Sequence, residues 1–257
     1  MFWTLSNFIV SSDVINAETK KGKKKVGFVE GLKHVFTSKY IGLIALLIIC
    51  YGISINIVEG VWKAQAGIVY TNKQDYARFM ANLQTYTGIA SMISMLCGSY
   101  ILKSMNWRAA AILTPIAILI TGSIFFIFSI YQFAIMSLLP FLTLAPIVIA
   151  VIVGLLQNIL GKATKYAFFD STKEMAYIPL DEELKSKGKA AADIIGGRLG
   201  KSGGALIQQL LLVMIPGASL ISLSSGLFII FLIIVFIWLI AVNLLASEFK
   251  KISKNEG

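Results

Sequence analysis

The sequence predicts an all-α membrane protein that crosses the bilayer several times. Hydrophobic residues make up 57% of the 257 residues, charged residues only 14%, and the mean hydropathy is +0.79, values far from those of soluble domains. Several apolar runs reach about 20 residues, the length that an α-helix needs to cross about 30 Å of hydrocarbon. In addition, most basic residues fall on one side of these runs, as expected of membrane proteins.

Six apolar runs are the predicted crossings. They cover residues 40–62, 83–102, 109–130, 134–159, 199–218 and 226–246. The run at 199–218 is the weakest, because its clearly apolar part is too short to cross unless the helix extends back into the glycine-rich stretch before it. Residues 1–12 are interpreted as the tail of a preceding span, since they are too short for a complete one and lack the basic start of a signal peptide.

The distribution of basic residues predicts the orientation. If the basic linker 13–39 is cytoplasmic, 18 of the 23 lysines and arginines lie on the cytoplasmic side, three lie outside, and two lie in the fifth run. This asymmetry follows the positive-inside rule and predicts cytoplasmic termini, including the tail 247–257. The net charge of +10 is therefore explained by the basic residues on the cytoplasmic side of the membrane, and no nucleic-acid partner is expected.

Residues 161–195 form the one sizeable segment between crossings, and they are predicted to be a cytoplasmic loop. The pattern STKE fits a capping box in which Ser171 begins a helix and Glu174 reaches back to it. The single histidine and the two cysteines form no cluster with metal-ligand spacing. The sequence therefore predicts no catalytic residues, no metal site and no cofactor.

The first predicted helix carries ionisable residues at membrane depth, where each charge costs roughly 2.5 to 3.5 kcal/mol on insertion scales. Asn56, Glu59 and Lys63 fall within an arc of about 60° on a helical wheel. We expect them to form one polar face toward a substrate. The alternative is that Glu59 and Lys63 mark the outer edge of the helix.

The fifth predicted helix has two distinct faces. Its polar face carries two cations and an amide, from Arg198, Lys201 and Gln208. Its opposite face carries small residues in GxxxG spacing, namely Gly196, Gly200, Gly203 and Gly204. The small residues predict close packing against a neighbouring helix, and the two cations favour an anionic ligand. The alternative is that both cations extend to the cytoplasmic rim.

The string GRLGKSGG also suggests a nucleotide-binding P-loop, but the pattern GxxxxGK(S/T) is not met. Its first glycine would be residue 195, which is Ile195, and no apolar strand precedes the cluster. A membrane ATPase that binds nucleotide here is therefore disfavoured, and nucleotide hydrolysis that depends on Lys201 would revive it.

Two stretches, YGISINIVEGVWK at 51–63 and KYAFFDSTKEMAYIPLDEELKSKGKAAADIIGGRLGKSGG at 165–204, closely resemble the ATP/ADP translocases of obligate intracellular bacteria such as rickettsiae and chlamydiae, and of plastid envelopes. In weaker form the resemblance extends from about residue 28 to 246. It implies the carboxyl-terminal, six-helix half of a major-facilitator-like transporter that exchanges ATP for ADP, often with phosphate. It also implies that Glu59 and Lys201 act in transport, while Arg198 is added from helix geometry.

The resemblance further implies a secondary transporter, and not an enzyme, in the bacterial inner membrane. One half of such a carrier supplies only part of the substrate contacts, so the chain is expected to need the amino-terminal half as its partner. Two alternatives stay open at this point. The chain could carry other nucleotides or NAD, or it could be an inactive gene remnant.

Overall fold

The computed structural model describes residues 37–138 and 144–255, which are helical almost throughout and contain no strand. The helices are α1 (Lys39–Val69), α2 (Lys73–Ser104), α3 (Trp107–Ile130), α4 (Gln132–Leu138), α5 (Pro146–Thr164), α6 (Asp170–Ala176), α7 (Glu182–Met214) and α8 (Ser224–Asn255). A π-helical turn, Lys165–Phe169, joins α5 to α6, so these two helices form one continuous unit. The prediction of an all-α polytopic membrane protein is confirmed.

Polar side chains set the starts of several helices. The side chains of Asn72, Asn106 and Asp181 accept backbone N–H groups at the starts of α2, α3 and α7, which satisfies donors that have no partner inside the helix. Pro146 occupies the first turn of α5, where its missing N–H costs nothing. The helices therefore begin where the sequence supplies a cap or a proline.

α1 and α7 run parallel and pack along much of their length. Gly52 of α1 lies against Gly200 of α7, and two turns further on Gly60 lies against Gln208. Length and composition qualify five helical segments in the described part of the chain as membrane spans, and α7 is not among them. Its register with α1 nevertheless places it at the same depth, which supports a sixth crossing.

The α5–α6 unit and α8 run antiparallel to α1. The Trp62 indole N–H of α1 donates to the Val151 carbonyl at 2.9 Å, and the Tyr40 hydroxyl donates to the Ala176 carbonyl at 2.6 Å. At the same end, Lys39 of α1 forms an ion pair with Glu248 of α8 at 2.9 Å. One end of the bundle therefore gathers the start of α1 with the ends of α6 and α8.

Aromatic side chains fill the interior between α1, α3, α5 and α8. Trp62, Phe125, Phe231 and Trp238 are fully buried. Large apolar side chains also cover the outer surface, and Leu96 of α2 is 75% exposed. An apolar exterior around a packed interior is expected of helices that contact lipid.

The structure differs from the prediction at the fourth crossing, 134–159. α4 ends at Leu138 and α5 begins only at Pro146, because proline starts a helix more readily than it continues one. The helical unit then continues to Ala176, well beyond the predicted end. Hydropathy does not show this continuation, because one side of it is charged and faces the protein interior.

The predicted loop 161–195 is helical except at residues 177–181. Ser171 lies inside α6, and its hydroxyl donates to the Ala167 carbonyl, so the predicted capping box is wrong. α7 continues without a break from Glu182 to Met214, which joins the end of the predicted loop to the fifth crossing. The predicted span remnant 1–12 and the linker as far as residue 36 lie outside the described residues.

Candidate functional site

A cavity of about 430 Å³ lies between α1, α7 and the α5–α6 unit, a volume within the range of small-molecule sites. Aromatic side chains and glycines form part of its wall, together with three carboxylates and three lysines. The charged lining residues are Glu59, Lys165, Asp170, Lys173, Asp193 and Lys201. We refer to this space as the central cavity.

The π-helical turn positions one wall of the central cavity. In a π-helix the hydrogen bonds join residues five apart, so such residues lie on the same side. Lys165 and Asp170 both line the cavity and form an ion pair at 2.7 Å. One turn further on, Lys173 pairs with Asp193 of α7 at 3.0 Å. These residues were not predicted as site residues, because their sequence pattern indicates a loop or its edge.

Glu59 lies on α1 between two lysines. Its Oε1 atom is 3.3 Å from the Lys63 ammonium and 3.8 Å from the Lys162 ammonium. Lys63 was predicted from the sequence, whereas Lys162 was predicted to lie in the loop. Lys162 faces Glu59 because the α5–α6 unit continues past it. Glu59 therefore has its charge balanced from two helices.

Lys201 differs from the other lysines that line the central cavity. Its side chain is exposed and reaches the cavity, and no carboxylate within residues 37–138 or 144–255 lies within 4.0 Å of its ammonium group. Each carboxylate that lines the cavity has a lysine partner. A cation without a partner in a recessed site raises the local concentration of anions.

Arg198 is exposed and does not line the central cavity. The lining residues of α7 are Asp193, Gly197 and Lys201, which are four residues apart and follow one side of the helix. Arg198 is rotated about 60° from Lys201, toward the side away from α1. The structure therefore does not bring the two predicted cations together at this cavity.

Gln208 lies in the interface between α1 and α7, where it is 7% exposed. Its amide donates to the Asn56 side-chain oxygen at 3.0 Å and to the Asn56 carbonyl at 3.1 Å. Both residues line a second cavity of about 260 Å³, together with Glu59 and Lys63. The predicted polar face of α7 is thus divided, with Lys201 at the central cavity and Gln208 bonded to α1.

The predicted glycine stripe faces α1. A Cβ atom added at Gly196, Gly200 or Gly204 would lie 3.0, 3.0 or 2.6 Å from an atom of α1, closer than real Cβ atoms normally approach. At Gly203 the nearest distance is 3.4 Å, an ordinary contact. Sequence reasoning missed Gly52, whose backbone is the part of α1 that meets Gly200.

Ion pairs connect α6 and α7 near one end of the central cavity. Lys173, already paired with Asp193, lies 3.7 Å from Glu174, and Glu174 also pairs with Lys189. Burial raises the pKa of the Tyr177 hydroxyl beside this cluster, and the Asp193 and Glu174 carboxylates raise it further. Tyr177 is therefore neutral at physiological pH, and the ionic contacts come from the other side chains.

Replacing Gln208 with leucine is expected to lower the free energy of unfolding by about 1–3 kcal/mol, because the Asn56 oxygens lose a buried donor. The measurement is thermal unfolding of the purified chain in detergent. Gln209→Leu is the matched control, since Gln209 is exposed, and we expect it to unfold like the wild type. Equal losses in the two variants would contradict the assigned hydrogen bonds.

Comparison with known proteins gives related sequences. A sequence profile described as TLC ATP/ADP transporter matches residues 1–249. ADP,ATP carrier protein 1 of Rickettsia prowazekii (strain Madrid E) is 47% identical over 92% of this chain and 48% of its own length. ADP,ATP carrier protein 4 of Rickettsia conorii (strain ATCC VR-613 / Malish 7) is 43% identical over 97% of this chain and 49% of its own length. No solved structure matches the chain.

The chain spans about half the length of the curated relatives it matches. The family profile nevertheless covers nearly all of it, including both stretches that carry the resemblance and every residue that lines the central cavity. The helical bundle with its apolar exterior agrees with a multi-pass membrane protein. The resemblance found in the sequence is therefore confirmed, and the chain belongs to the TLC ATP/ADP transporter family.

Proposed function

We propose that this chain forms one half of a secondary transporter that exchanges ATP for ADP across the bacterial inner membrane. The observation that carries the proposal is Lys201, a cation without an ionic partner in the described structure, in a recessed cavity between α1, α7 and the α5–α6 unit. Family membership and the name of the Rickettsia relatives, ADP,ATP carrier protein, support a phosphorylated nucleotide as the anion. Lys201 is proposed to bind phosphate oxygens through charge-assisted hydrogen bonds.

The balance of charges in the central cavity suits exchange better than tight binding. Asp170 and Asp193 pair with Lys165 and Lys173, two of the three lysines that line it, so an entering nucleotide must compete with these two carboxylates for two of the three ammonium groups. When the nucleotide leaves, Asp170 and Asp193 can again neutralise Lys165 and Lys173. A transported ligand has to bind strongly enough to enter and weakly enough to leave. The carboxylates of the cavity limit the affinity for the nucleotide in this way.

We also propose that the amino-terminal half of the carrier, on the same polypeptide or another, supplies the remaining substrate contacts. Transporters built from two repeats hold their substrate between the repeats near the bilayer midplane, and the relatives are about twice as long as the matched segment. ATP carries one more negative charge than ADP, and moving that charge costs about 2.3 kcal/mol per 100 mV. Phosphate moving with ADP would remove this cost.

The proposed orientation places both termini in the cytoplasm. The start of α1 and the ends of α6 and α8 lie at one end of the bundle, and Lys39, Lys250 and Lys251 belong to these helix ends. All six lysines of the predicted loop 161–195 lie in helices and no longer count as loop residues. The asymmetry of the remaining basic residues still favours this orientation.

The test is uptake of radiolabelled ATP by intact bacteria that express the chain together with the amino-terminal half of the Rickettsia prowazekii relative. We expect saturable uptake that external ADP reverses. Competition by unlabelled CTP, GTP and NAD distinguishes the other carriers that the sequence left open. Preference for one of these compounds would replace ATP in the proposal, and no uptake despite stable insertion of both halves would favour an inactive remnant.

A further inference from the structure

We propose that Lys165 is a second phosphate-binding cation of the central cavity, and that Asp170 is its internal counter-ion until a nucleotide displaces it. The proposal rests on the proposed function, since it assigns a further substrate contact at the same site. Both residues line the cavity and form an ion pair at 2.7 Å. The ammonium group thus already binds an anionic oxygen at the cavity wall.

The ion pair of Lys165 is local, unlike those of the neighbouring lysines. Lys173 connects α6 to α7 through Asp193, and Lys162 connects α5 to α1 through Glu59. Asp170 is five residues from Lys165 in the same helical unit, so separating the two breaks no contact between helices. Lys165 can therefore turn from a carboxylate to a phosphate oxygen at a smaller structural cost than Lys162 or Lys173.

The surroundings of Lys165 keep it in reach of a ligand. Its side chain is 26% exposed and that of Asp170 is 34% exposed, so the pair lies at the cavity surface. The ammonium group is 4.4 Å from the ring centroid of Tyr166 and 6.0 Å from that of Tyr51. Aromatic rings at these distances hold a cation without neutralising it.

The π-helical turn explains why both partners face the same cavity. In an uninterrupted α-helix, residues five apart are rotated about 140° from each other, which would turn Asp170 away from Lys165. The π-turn removes most of that rotation, and such turns occur frequently at functional sites. The turn therefore places a cation and its replaceable anion together on the cavity wall.

Asp170 should act as an internal competitor of the phosphate. A phosphate oxygen and a carboxylate oxygen accept the same kind of hydrogen bond from an ammonium group, so only one of them can hold Lys165 fully. Removing the lysine should weaken nucleotide binding, whereas removing the competing carboxylate should strengthen it. Two residues in direct contact are thus expected to have opposite effects.

The experiment measures equilibrium binding of radiolabelled ATP, ADP and AMP to the two halves reconstituted together in lipid nanodiscs. Lys165→Gln should weaken ATP binding about 10-fold or more, as expected for a lost charged hydrogen bond, with a smaller effect on AMP, and Lys165→Arg should restore most of the affinity. Asp170→Asn should tighten ATP binding by about threefold or more. Lys103→Gln is the control, because Lys103 is exposed near the end of α2 and does not line the cavity.

Each outcome separates this inference from the function on which it rests. If the wild type binds ATP and Lys165→Gln binds it equally well, the role of Lys165 is overturned while the proposed function stands. The same follows if Lys165→Gln weakens the binding of AMP and ATP equally. Weaker ATP binding by Asp170→Asn would overturn the role of Asp170 as competitor. If Lys165→Gln fails to fold, the tighter ATP binding expected for Asp170→Asn still tests the proposal, since damage to the fold does not tighten binding. No ATP binding by the wild type would overturn the proposed function itself.

Discussion

Lys201→Gln is expected to reduce ATP uptake by about 10- to 100-fold, whereas Arg198→Gln, three residues earlier on the same helix, should leave uptake within about twofold. Glutamine keeps the approximate length and polarity of the lysine side chain but removes its charge. A hydrogen bond to a charged group contributes about 1.5–3 kcal/mol, which sets the size of the loss. The exposed Arg198 lies outside the central cavity, so its charge should matter little.

The two variants form a matched pair. Both remove one positive charge from an exposed position of α7, so a general effect of charge on insertion or folding would appear in both. The measurement is the initial rate of labelled ATP uptake, normalised to the amount of inserted protein. Equal losses would show that the basic face of α7 acts as a whole, as the sequence suggested. A larger loss in Arg198→Gln would place the substrate on the other side of the helix.

Hydropathy predicts the helices well where a predicted crossing contains few charged residues. The first, third and sixth predicted crossings fall within α1, α3 and α8 with short extensions. The α5–α6 unit and α7 are different, because one side of each is charged and turned inward. Hydropathy averaged over a window of residues combines the charged side with the apolar side and gives an intermediate value. Part of each helix was therefore predicted to be a loop.

The candidate site was predicted where a single helix defines it. Asn56, Glu59 and Lys63 share a face through α-helical spacing alone, and all three line the second cavity. Lys165 and Asp170 could not be predicted in this way, since a π-turn changes the phase of the helix and leaves no clear signal in the residue types. The contact between Lys165 and Asp170 is seen only in the structure, which contains the π-helical turn.

The two faces of α7 could be predicted from the sequence, but which way each face points could be determined only from the packing of α7 against α1. On a helical wheel Lys201 lies about 100° from Gly200, and Arg198 lies about 160° from it. Since the glycines face α1, Lys201 reaches the cavity beside that contact and Arg198 points away from it. Gly52 was missed for the same reason, because a lone glycine in an apolar helix gives no sign of what it touches.

Gly52→Ala is expected to destabilise the bundle by about 2–3 kcal/mol, near the upper end of the usual cost of overpacking. The added Cβ would lie 2.7 Å from the Cα atom and 2.8 Å from the carbonyl carbon of Gly200. These are backbone atoms, so the clash is relieved only if α1 and α7 move apart. The measurement is thermal unfolding in detergent, followed by tryptophan fluorescence.

Gly67→Ala provides the control on the same helix. Apart from Gly67 itself, its two chain neighbours and the adjoining helix backbone, no atom of the described residues lies within 4 Å of a Cβ added there, and alanine favours a helix over glycine by about 1 kcal/mol. We therefore expect this variant to be as stable as the wild type or slightly more stable. A similar loss in both variants would mean that glycine in α1 serves flexibility and not close packing.

Gly200→Ala tests the same contact from the other helix. Its Cβ would lie 3.0 Å from the Gly52 Cα atom, so a loss of stability comparable to that of Gly52→Ala is expected. Once one substitution has separated the helices, the second meets less resistance, and the double variant should lose clearly less stability than the sum of the two single variants. Strictly additive losses would mean that the two glycines act independently, which would contradict a direct backbone contact between α1 and α7.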